Sequence, residues 1–320
     1  MTSIKTGRII VAGGVNLDTT YHVDALPAVG ETIFSKTQSE ALGGKGLNQA
    51  VAARRAGAEV SIFGTTGVDS AGLAVREFLS DEGVATDFLA EYADLPTGRA
   101  MLTVDASANN TIVVAPGANL AADQPFPQGI DKHLAETAMV LANAEALCDA
   151  VETLFTKARQ HGVLTVWNPS PMPEHPEVIL AKTDILVVNQ AEAKDLVGEQ
   201  DGCIATARAL CNLGQQETVL TLGKDGCVVA TENEIFQVPA VLVEAVDPTA
   251  AGDTFLGYYL ATRLNGAGRK LAAATATVAA SVCVQVRGAA VAVPRLAELE
   301  RSAIDQIYAQ ASSINCASTI

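Results

Sequence analysis

The sequence predicts an α/β fold, namely a Rossmann-like, doubly wound and mainly parallel sheet with helices on both faces and a small β-sheet lid. Short apolar runs of strand length alternate with segments whose apolar residues recur at helical spacing. The runs are apolar almost throughout, as in strands that are covered on both faces. With 320 residues, 49% of them hydrophobic, the chain is long enough to bury a sizeable core.

The predicted elements alternate between strand and helix. Predicted strands lie at 8–14, 59–67, 139–143, 163–167, 184–188 and 217–222. Predicted helices lie at 46–57, 69–83, 147–160, 190–197, 203–213, 252–264 and 270–283. Asp69 is a favourable N-cap residue, and Gly57 and Gly83 favour helix ends. Such an order predicts parallel strands joined by helical crossovers.

Two stretches do not fit a strand–helix unit. Residues 17–40 are polar and extended, and residues 97–116 have the alternation of a β-hairpin with a turn at 106–110. We expect them to pair as a small sheet, the lid, over one edge of the main sheet. The segment from residue 312 onward is expected to fray. The predicted division is a main domain of 1–16, 41–96 and 117–311, a lid of 17–40 and 97–116, and a flexible tail of 312–320.

The charge balance limits the partners of the chain. Its formal net charge is −15 and its pI is about 4.6, so nucleic acid and anionic membrane surfaces are unfavourable partners. A phosphorylated ligand would have to be bound by local devices. Such devices are backbone N–H groups, a helix N-terminus, a metal ion or a few placed cations.

Cysteine usage and hydropathy favour a cytoplasmic protein. The cysteines form no C-x-x-C pair, so buried free thiols in a reducing compartment explain them better than disulfides or zinc. No segment reaches the roughly 18 unbroken apolar residues of a membrane span. The apolar run near the N-terminus is too short for a signal peptide. The six cysteines are Cys148, Cys203, Cys211, Cys227, Cys283 and Cys316.

The segment DPTAAGDTF, residues 247–255, comes directly before an apolar helical pattern. It predicts a helix N-terminus at which the N–H groups of residues 250–253 are unpaired and point outward. Small side chains let an anion approach these groups, and the helix dipole adds positive potential. Asp253 beside such an anion hole can serve as a general base. The alternative is an ordinary N-cap aspartate on a buried helix.

The segment ALGGKGLNQA, residues 41–50, places three glycines around a lysine before another helix. It is not a P-loop, because Lys45 is followed by Gly46 and the G-x-x-x-x-G-K-[ST] pattern is absent. Backbone N–H groups and Asn48 could hydrogen-bond a polyol there. The alternative is a flexible loop beside a helix.

The segment GGVNLD, residues 13–18, follows the first predicted strand. Asn16 and Asp18 lie past the carboxyl end of that strand, where ligands gather in open parallel sheets. Together they could bind two adjacent hydroxyl groups, and the alternative is a polar turn. The dinucleotide pattern G-x-G-x-x-G is absent.

The segment NQAE, residues 189–192, follows the predicted strand at 184–188. Asn189 and Glu192 are three residues apart on the first turn of a helix and face the same way. They could order water molecules around a divalent ion. A plain helix cap is the alternative.

Taken in order, these segments resemble a known family. From about residue 8 to 295, the chain resembles the ribokinase family of ATP-dependent sugar kinases. With Lys45 in GGKGLNQA, the chain is more similar to the ribose kinases of that family than to its fructokinases or adenosine kinases. The motifs are GGVNLD (13–18), GGKGLNQAVAARRAG (43–57), GVDSAG (67–72), NPSP (168–171), NQAEAKDLVG (189–198), TLGKDG (221–226), DPTAAGDTF (247–255) and RGAAVAVP (287–294).

The resemblance implies ATP-dependent phosphorylation of the primary hydroxyl of D-ribose to ribose 5-phosphate, with Asp253 as the base. The implied anion hole for the γ-phosphate consists of Ala250, Ala251 and Gly252. The implied sugar pocket consists of Asn16, Asp18, Gly43, Gly44, Lys45, Asn48, Glu145 and Asp253. The implied nucleotide site consists of Asn189, Thr221, Gly223, Gly226 and Gly252. In this family the lid often also serves as the dimer interface, which implies a homodimer.

The resemblance also implies two metal ions. Glu192 would stand near Mg²⁺, through water, and an activating K⁺ would shape the anion hole without touching the substrate. The implied K⁺ site consists of Asp247, Thr249, Cys283, Val286 and Gly288. The chain departs from the family here, because Ala292 replaces a common Ser, Val286 a common Arg and Pro248 a usual Thr. We therefore expect K⁺ activation that is weaker than usual.

Two other functions remain open from the residues. The same fold could act on 2-deoxyribose, another sugar or a nucleoside, although a nucleoside kinase needs an aromatic platform and aromatic residues are only 4% here. Tyr21 and Phe34 in the lid could contribute to such a platform. A sugar-sensing protein without catalysis is the second alternative. The intact AAGD sequence and the lack of a basic DNA-binding segment argue against it.

Overall fold

A computed structural model defines the fold and describes residues 6–107, 109–121, 129–146 and 148–314. Its strands are β1 (Arg8–Ala12), β2 (Asn16–His22), β3 (Thr37–Gly43), β4 (Val60–Gly67), β5 (Ala85–Tyr92), β6 (Gly98–Val104), β7 (Asn110–Ala115), β8 (Thr137–Asn143), β9 (Leu164–Asn168), β10 (Ile185–Asn189), β11 (Glu217–Thr221), β12 (Cys227–Ala230), β13 (Ile235–Val238) and β14 (Ser312–Ile314). Its α-helices are α1 (Lys45–Arg55), α2 (Ser70–Asp81), α3 (Ile130–Leu134), α4 (Cys148–Gln160), α5 (Glu177–Leu180), α6 (Gln190–Val197), α7 (Gly202–Cys211), α8 (Ala251–Leu264), α9 (Arg269–Cys283) and α10 (Arg301–Gln310).

The main sheet is doubly wound, as predicted. Its ten strands lie in the order β14-β13-β12-β11-β10-β9-β8-β1-β4-β5. The seven strands from β11 to β5 run parallel, whereas β12, β13 and β14 extend one edge in antiparallel fashion. After β1, the chain first adds β4 on one side of β1 and later adds β8 on its other side, so the direction of strand addition reverses at β1. In such sheets ligands bind beyond the carboxyl ends of the strands at this reversal.

Apolar layers cover both faces of the sheet. Ile9 and Val11 of β1 pack into a core with α1, α2, α8, α9 and α10. Ile10 and Ala12 of the same strand point the other way, into a core with α3 to α7. Since alternate residues of one strand serve two cores, β1 is apolar at every position from Ile9 to Ala12.

Helices α1 and α8 pack unusually closely because small residues face each other. A Cβ at Gly257 would lie 2.6 Å from the backbone nitrogen of Ala53 and would also clash with Ala52. The side chain of Asn48 reaches Asp253 one turn earlier along both helices. The amino ends of α1 and α8 therefore lie side by side at the edge where ligands bind.

The two stretches that did not fit strand–helix units form a second sheet, as predicted. Its four strands lie in the order β3-β2-β6-β7. Strand β2 begins at Asn16, which pairs with Gly43 of β3 on one side and with Gly98 of β6 on the other. Asn16, Asp18 and Gly43, which were predicted to bind sugar, thus belong to the strands of the lid sheet.

The predicted frayed tail is wrong for its first residues. Residues 312–314 form β14, which pairs with β13 because that edge strand has open backbone groups. Residues 315–320 lie outside the described part of the chain. The sequence also did not predict β5, β12, β13, α3, α5 or α10, which are short or lie at the margins of the sheet.

The predicted helix ends agree with the structure, whereas the predicted burial of the thiols is confirmed only in part. Asp69 caps α2 by accepting a hydrogen bond from the backbone nitrogen of Gly72. Gly57 and Gly83, just past α1 and α2, have the positive φ angles that favour glycine. Cys227 and Cys283 are buried free thiols, whereas Cys148 is an exposed free thiol and Cys203 a half-buried one, so the prediction of burial is wrong for Cys148. Cys316 lies outside the described residues. Among the helices of the described ranges, none is both long and apolar enough to cross a membrane.

Candidate functional site

A cavity of about 250 Å³ lies beyond the carboxyl ends of β9, β10 and β11. The amino end of α8 forms one wall, and Lys45 at the start of α1 forms another. A second cavity of about 470 Å³ lies beside it. Both cavities are lined by Asn189, Thr221, Pro248, Ala251 and Gly252, so they meet at the amino end of α8.

The amino end of α8 has the conformation that an anion hole requires, with one correction. Ala250 is the N-cap and has a left-handed backbone, with φ of 61°. A Cβ at Gly252 would meet no atom within 4 Å, so an anion has room to approach. The N–H group of Ala251, predicted to be unpaired, instead donates to the Pro248 carbonyl at 3.2 Å, because the preceding residues form a turn. The prediction of four unpaired N–H groups was therefore wrong at Ala251.

Both carboxylate oxygens of Asp253 accept hydrogen bonds from α1. Asn48 Nδ2 donates to Oδ2 at 3.0 Å, and Gln49 Nε2 donates to Oδ1 at 2.9 Å. Asp253 is only 8% exposed. Asn48 Oδ1 is buried and accepts no hydrogen bond from the described residues, so it is available to a ligand hydroxyl. Gln49 was not predicted to belong to the site.

Asp18 and Glu145 are two half-buried carboxyl groups in the predicted sugar pocket. Burial raises the pKa of Asp18 to about 6. Burial also raises the pKa of Glu145 to about 7, although the backbone N–H group of Lys45 donates to Glu145 Oε2 at 2.7 Å and partly opposes the shift. Asp18 Oδ1 has no hydrogen-bond partner among the described residues. Such acceptors are suited to the hydroxyl groups of a polyol.

Glycines let this pocket close around its polar groups. A Cβ at Gly43 would clash with Asp18 Oδ2. Gly44 has φ of 88°, and a Cβ there would lie 2.6 Å from the carbonyl oxygen of Gly14. The GG pair of the second motif is thus required by close approach and by backbone conformation.

Asn16 is held in place by Asn119, a residue that the sequence did not single out. Asn119 Nδ2 donates to Asn16 Oδ1 at 2.8 Å. Asn119 Oδ1 in turn accepts from the backbone nitrogen of Val15 at 3.0 Å. Both side chains lie against Gly98, where a Cβ would clash with each of them. The lid strand β6 therefore packs directly onto the Asn16 side chain.

Asn189 and Glu192 combine a helix cap with a place at the cavity. Each side chain accepts a hydrogen bond from the backbone nitrogen of the other at 2.9 Å, which makes a capping box for α6. Asn168 Nδ2 lies 3.5 Å from Glu192 Oε2. Within the described residues, no three His, Cys, Asp or Glu side chains gather into a metal site. Mg²⁺, however, is usually bound by one or two carboxylates together with substrate phosphates.

The larger cavity is a mostly apolar cleft that contains the predicted nucleotide residues. Asn189, Thr221, Gly223, Gly226 and Gly252 all line it. The sequence missed most of the remaining walls, because the apolar residues that dominate them are indistinguishable from core residues in a sequence. Ala251, which was predicted for the anion hole, also lines the cleft, and the missed residues are Lys224, Ala240, Val241, Leu242, Val243, Ala245, Pro248, Phe255, Thr277, Ala280, Ser281 and Val284.

The predicted K⁺ segment lies directly behind the anion hole. Asp247 accepts hydrogen bonds from the backbone nitrogens of Thr249 at 2.9 Å and Gly288 at 3.0 Å. Burial opposes ionisation of Asp247, but these hydrogen bonds outweigh it and lower its pKa. The Cys283 thiol lies 3.8 Å from the Thr249 carbonyl oxygen. The Val286 side chain is exposed, as is Thr249.

The side chains beside that segment are apolar. Ala250, Cys283, Ala289 and Ala292 form a small buried cluster of their own. Beside this cluster, the carboxylate of Asp247 is the polar side-chain group of the predicted set, and main-chain carbonyls such as that of Thr249 add further oxygens.

Residues 7–296 match the pfkB family of carbohydrate kinases, and the chain belongs to this family. It is thus a phosphotransferase that uses an alcohol group as acceptor. Ribokinase of Staphylococcus aureus is 32% identical over 303 residues, which cover 92% of this chain and 99% of that protein. The bifunctional ribokinase/ribose-5-phosphate isomerase A of Fructilactobacillus sanfranciscensis is 36% identical over 298 residues, 90% of this chain and 54% of that longer protein.

Solved structures have the same fold. Arabidopsis thaliana ribokinase, solved with ribose and ATP, superposes with a TM-score of 0.85 at 26% identity. The superposition covers 95% of this chain and 99% of the Arabidopsis chain. The resemblance that the sequence motifs carried is confirmed at the level of family and fold.

Proposed function

We propose that this protein transfers the γ-phosphoryl group of ATP to the primary hydroxyl of D-ribose, giving ribose 5-phosphate and ADP. The observation that carries the proposal is the position of Asp253. This buried carboxylate stands at the amino end of α8, in contact with Asn48 and its unpaired acceptor on one side and lining the smaller cavity, which adjoins the apolar cleft, on the other. The similarity to ribokinases, one of them solved with ribose and ATP, supports this choice of substrates.

Asp253 is the proposed general base. In the transfer, the sugar oxygen forms a bond to the γ-phosphorus while the bond from that phosphorus to the β–γ bridging oxygen breaks. The hydroxyl proton passes to an Asp253 carboxylate oxygen. The N–H groups of Ala250 and Gly252 and the positive end of α8 stabilise the negative charge on the transferred group. Catalysis of this kind depends mainly on positioning and charge stabilisation.

The sugar hydroxyls are bound by acceptors in the lid and the loops. Asp18 Oδ1 and Asn48 Oδ1 are buried acceptors that still lack donors. Glu145 and Asn16 lie in the same polar pocket, close to Gly14 and Gly98. Lys45 lines the cavity between this pocket and α8. Each acceptor that receives a sugar hydroxyl removes the cost of a buried unpaired group.

The apolar cleft is the proposed nucleotide site. Phe255, Ala280 and Val284 would contact the base and ribose of ATP, and Gly223 and Gly226 would let the nucleotide lie close to the backbone. The phosphates would extend toward Gly252, where the two cavities join.

Two metal ions belong to the proposal. Glu192 and Asn189 would hold Mg²⁺ through water, where the ion offsets phosphate charge. K⁺ would be held by Asp247 and by main-chain carbonyls of Thr249, Cys283, Val286 and Gly288. Because Ala292 supplies no hydroxyl and Val286 no polar side chain, we expect activation only at raised K⁺ concentration.

The lid is the proposed dimer interface, and we place the protein in the cytoplasm. Met101 of β6 and Val113 of β7 are cross-strand partners on one face of the lid, and Ile112 and Val114 lie on the other. All four side chains are exposed in the single chain. An exposed apolar edge of this kind needs cover, which a second lid would supply.

The experiment that tests the proposal is a coupled ADP-release assay with ATP and a panel of sugars. We expect turnover with D-ribose to exceed that with 2-deoxyribose, other pentoses, hexoses and nucleosides. Turnover with a nucleoside or hexose but not with ribose would overturn the ribose assignment. Tight binding of ribose in calorimetry without ADP release from any sugar would instead favour the sugar-sensing alternative.

A further inference from the structure

Gln49 uses both ends of its side-chain amide beside the candidate base. It lies on α1 and is 0% exposed. Its amide nitrogen donates to Asp253 Oδ1 at 2.9 Å and to Asn168 Oδ1 at 3.2 Å. Its amide oxygen accepts from Asn143 Nδ2 at 3.1 Å. A buried glutamine that uses both ends in this way cannot turn without losing several hydrogen bonds.

The side-chain amides of Asn143, Gln49 and Asn168 form a hydrogen-bonded chain. Backbone groups at its two ends fix which atom of each amide donates. At one end, the backbone N–H group of Glu145 donates to Asn143 Oδ1 at 3.1 Å, so Asn143 must turn its NH₂ group toward Gln49. At the other end, Asn168 Nδ2 donates to the Val187 carbonyl at 3.1 Å, so Asn168 must turn its oxygen toward Gln49. The orientation of Gln49 follows, with its NH₂ group on Asp253 and Asn168.

Packing leaves this chain of amides little freedom. A Cβ at Gly13 would clash with the side-chain amide of Asn143. Asn143 is itself fully buried. Asn168 also reaches Glu192 Oε2, at 3.5 Å, so the same amides connect the neighbourhood of Asp253 with that of the proposed Mg²⁺ residue.

We propose that Gln49 is a positioning residue for phosphoryl transfer. It fixes Asp253 Oδ1 with a permanent donor and thereby presents the other oxygen, Oδ2, to the hydroxyl of the sugar. The proposal rests on the proposed role of Asp253 as the base. Asn48, the neighbouring donor to Oδ2, is less constrained, since its own oxygen has no partner among the described residues. Asn48 can exchange Asp253 for a sugar hydroxyl, whereas Gln49 stays in place.

The test compares two variants of Gln49. Gln49→Met keeps the volume of the side chain but removes the donor. We expect kcat to fall about 10- to 100-fold, because misplacing a reacting group by about 1 Å costs on that order. KM for ribose and for ATP should stay within about threefold, since Gln49 contacts neither proposed substrate site directly. Gln160→Met on the exposed end of α4 is the matched control and should match the wild type.

Gln49→Glu provides a readout that a structural role would not give. While one proton is shared between Glu at this position and Asp253, the new carboxyl group donates to Oδ1 as the amide did. Loss of that proton with rising pH leaves two adjacent carboxylates and no donor. The variant should therefore retain turnover at acidic pH and lose it toward alkaline pH, where the wild type stays active. The other titratable groups around Asp253 are Lys45, Glu145, Asp18, Glu192 and Cys283, and both proteins share them.

The outcomes separate this proposal from the proposed function. If Gln49→Met keeps kcat within twofold, or if Gln49→Glu has the pH profile of the wild type, Gln49 does not position the base. Should Gln49→Met fail to fold, the pH profile of Gln49→Glu decides alone. Full turnover in Asp253→Asn would instead show that Asp253 is not the base. If the Gln49 variants behave like the wild type while Asp253→Asn is inactive, only the proposed role of Gln49 is overturned.

Discussion

The proposed sugar pocket and the apolar cleft beside α8 are built in opposite ways. The sugar pocket is formed by carboxyl and amide groups, including the half-buried Asp18 and Glu145 and the buried Asn48, and Asp18 and Asn48 each keep an acceptor without a partner among the described residues. The cleft beside it is lined largely by apolar residues such as Phe255 and Val284. Unpaired buried acceptors discriminate strongly between ligands, because a ligand without the matching hydroxyl leaves them unpaired. Selectivity should therefore reside in the pocket, and the cleft should supply shape and contact area.

The largest expected effect lies where the two cavities join. Asp253→Asn keeps the size and the helix position of the side chain but cannot take a proton. We expect kcat to fall by about 10²–10⁴, the usual loss for a general base, with ATP and ribose binding nearly unchanged in calorimetry. Asp247→Asn, six residues earlier, is the matched control and should have a milder effect, chiefly on K⁺ dependence. If kcat fell equally in the two variants, Asp253 could not be distinguished as the base from Asp247 as a cation ligand.

A pair of filling substitutions tests the division between pocket and cleft. Gly43→Ala introduces a Cβ that clashes with Asp18 Oδ2, so KM for ribose should rise by about 10- to 100-fold, the range for one misfitted methyl group. KM for ATP should change little. Ala280→Leu at the cleft should have the reverse pattern, in which KM rises about tenfold for ATP and stays unchanged for ribose. A variant that raised KM equally for ribose and for ATP would show that the pocket and the cleft do not bind their substrates separately.

The pocket should be sensitive to pH and the cleft should not. Burial raises the pKa of Asp18 to about 6 and that of Glu145 to about 7, and the ionised forms are the better hydroxyl acceptors. KM for ribose should therefore rise about tenfold as pH falls from about 8 to 6, while KM for ATP stays level. A flat ribose KM over this range would mean that neither carboxyl group titrates in the pocket.

The same pKa shifts make a prediction about stability. Both groups titrate higher in the folded protein than in the unfolded chain. Their contribution to the free energy of unfolding is present below about pH 4 and is lost as pH rises through about 6 to 7. Asp18→Asn removes one such carboxyl group and should raise the thermal midpoint of the ligand-free protein at about pH 8. A lower midpoint at that pH would contradict the assigned cost of burying Asp18.

The smallest expected effects concern K⁺. Ala292→Ser adds a hydroxyl beside the cluster behind the anion hole, and we expect the K⁺ concentration for half-activation to fall by about two- to tenfold, in line with one added ligand. The pocket and the cleft should keep their KM values. Equal half-activation in the wild type and the variant would show that position 292 does not bear on the cation.

The sequence predicted the pocket better than the cleft, and the reason is physical. Gly43, Gly44 and Asp253 stand in short motifs whose local conformation is set by glycine and by a helix N-terminus. Gln49 and Asn119 were missed because their partners are distant, with 204 residues separating Gln49 from Asp253 and 103 separating Asn119 from Asn16. Amide pairs of this kind have no local pattern.

The cleft was missed for a different reason. Its walls come from a loop around Val241 and from one face of α9, whose residues look like ordinary core residues. Strand β14 was missed similarly, since a short polar segment becomes a strand only because the edge of β13 is open to it. In each case tertiary contacts, and not local propensity, decide the outcome.

The most direct test of the central claim is the position of the new phosphate ester. Purified protein is incubated with ATP, Mg²⁺ and D-ribose, and the product is analysed by two-dimensional phosphorus–proton NMR. A phosphorus resonance coupled to the two protons of the C5 methylene, in an amount that matches the ADP released, is the expected result. It should vanish with Asp253→Asn. ADP release without a ribose ester, or an ester at another carbon, would contradict the assignment of the pocket and of the base together.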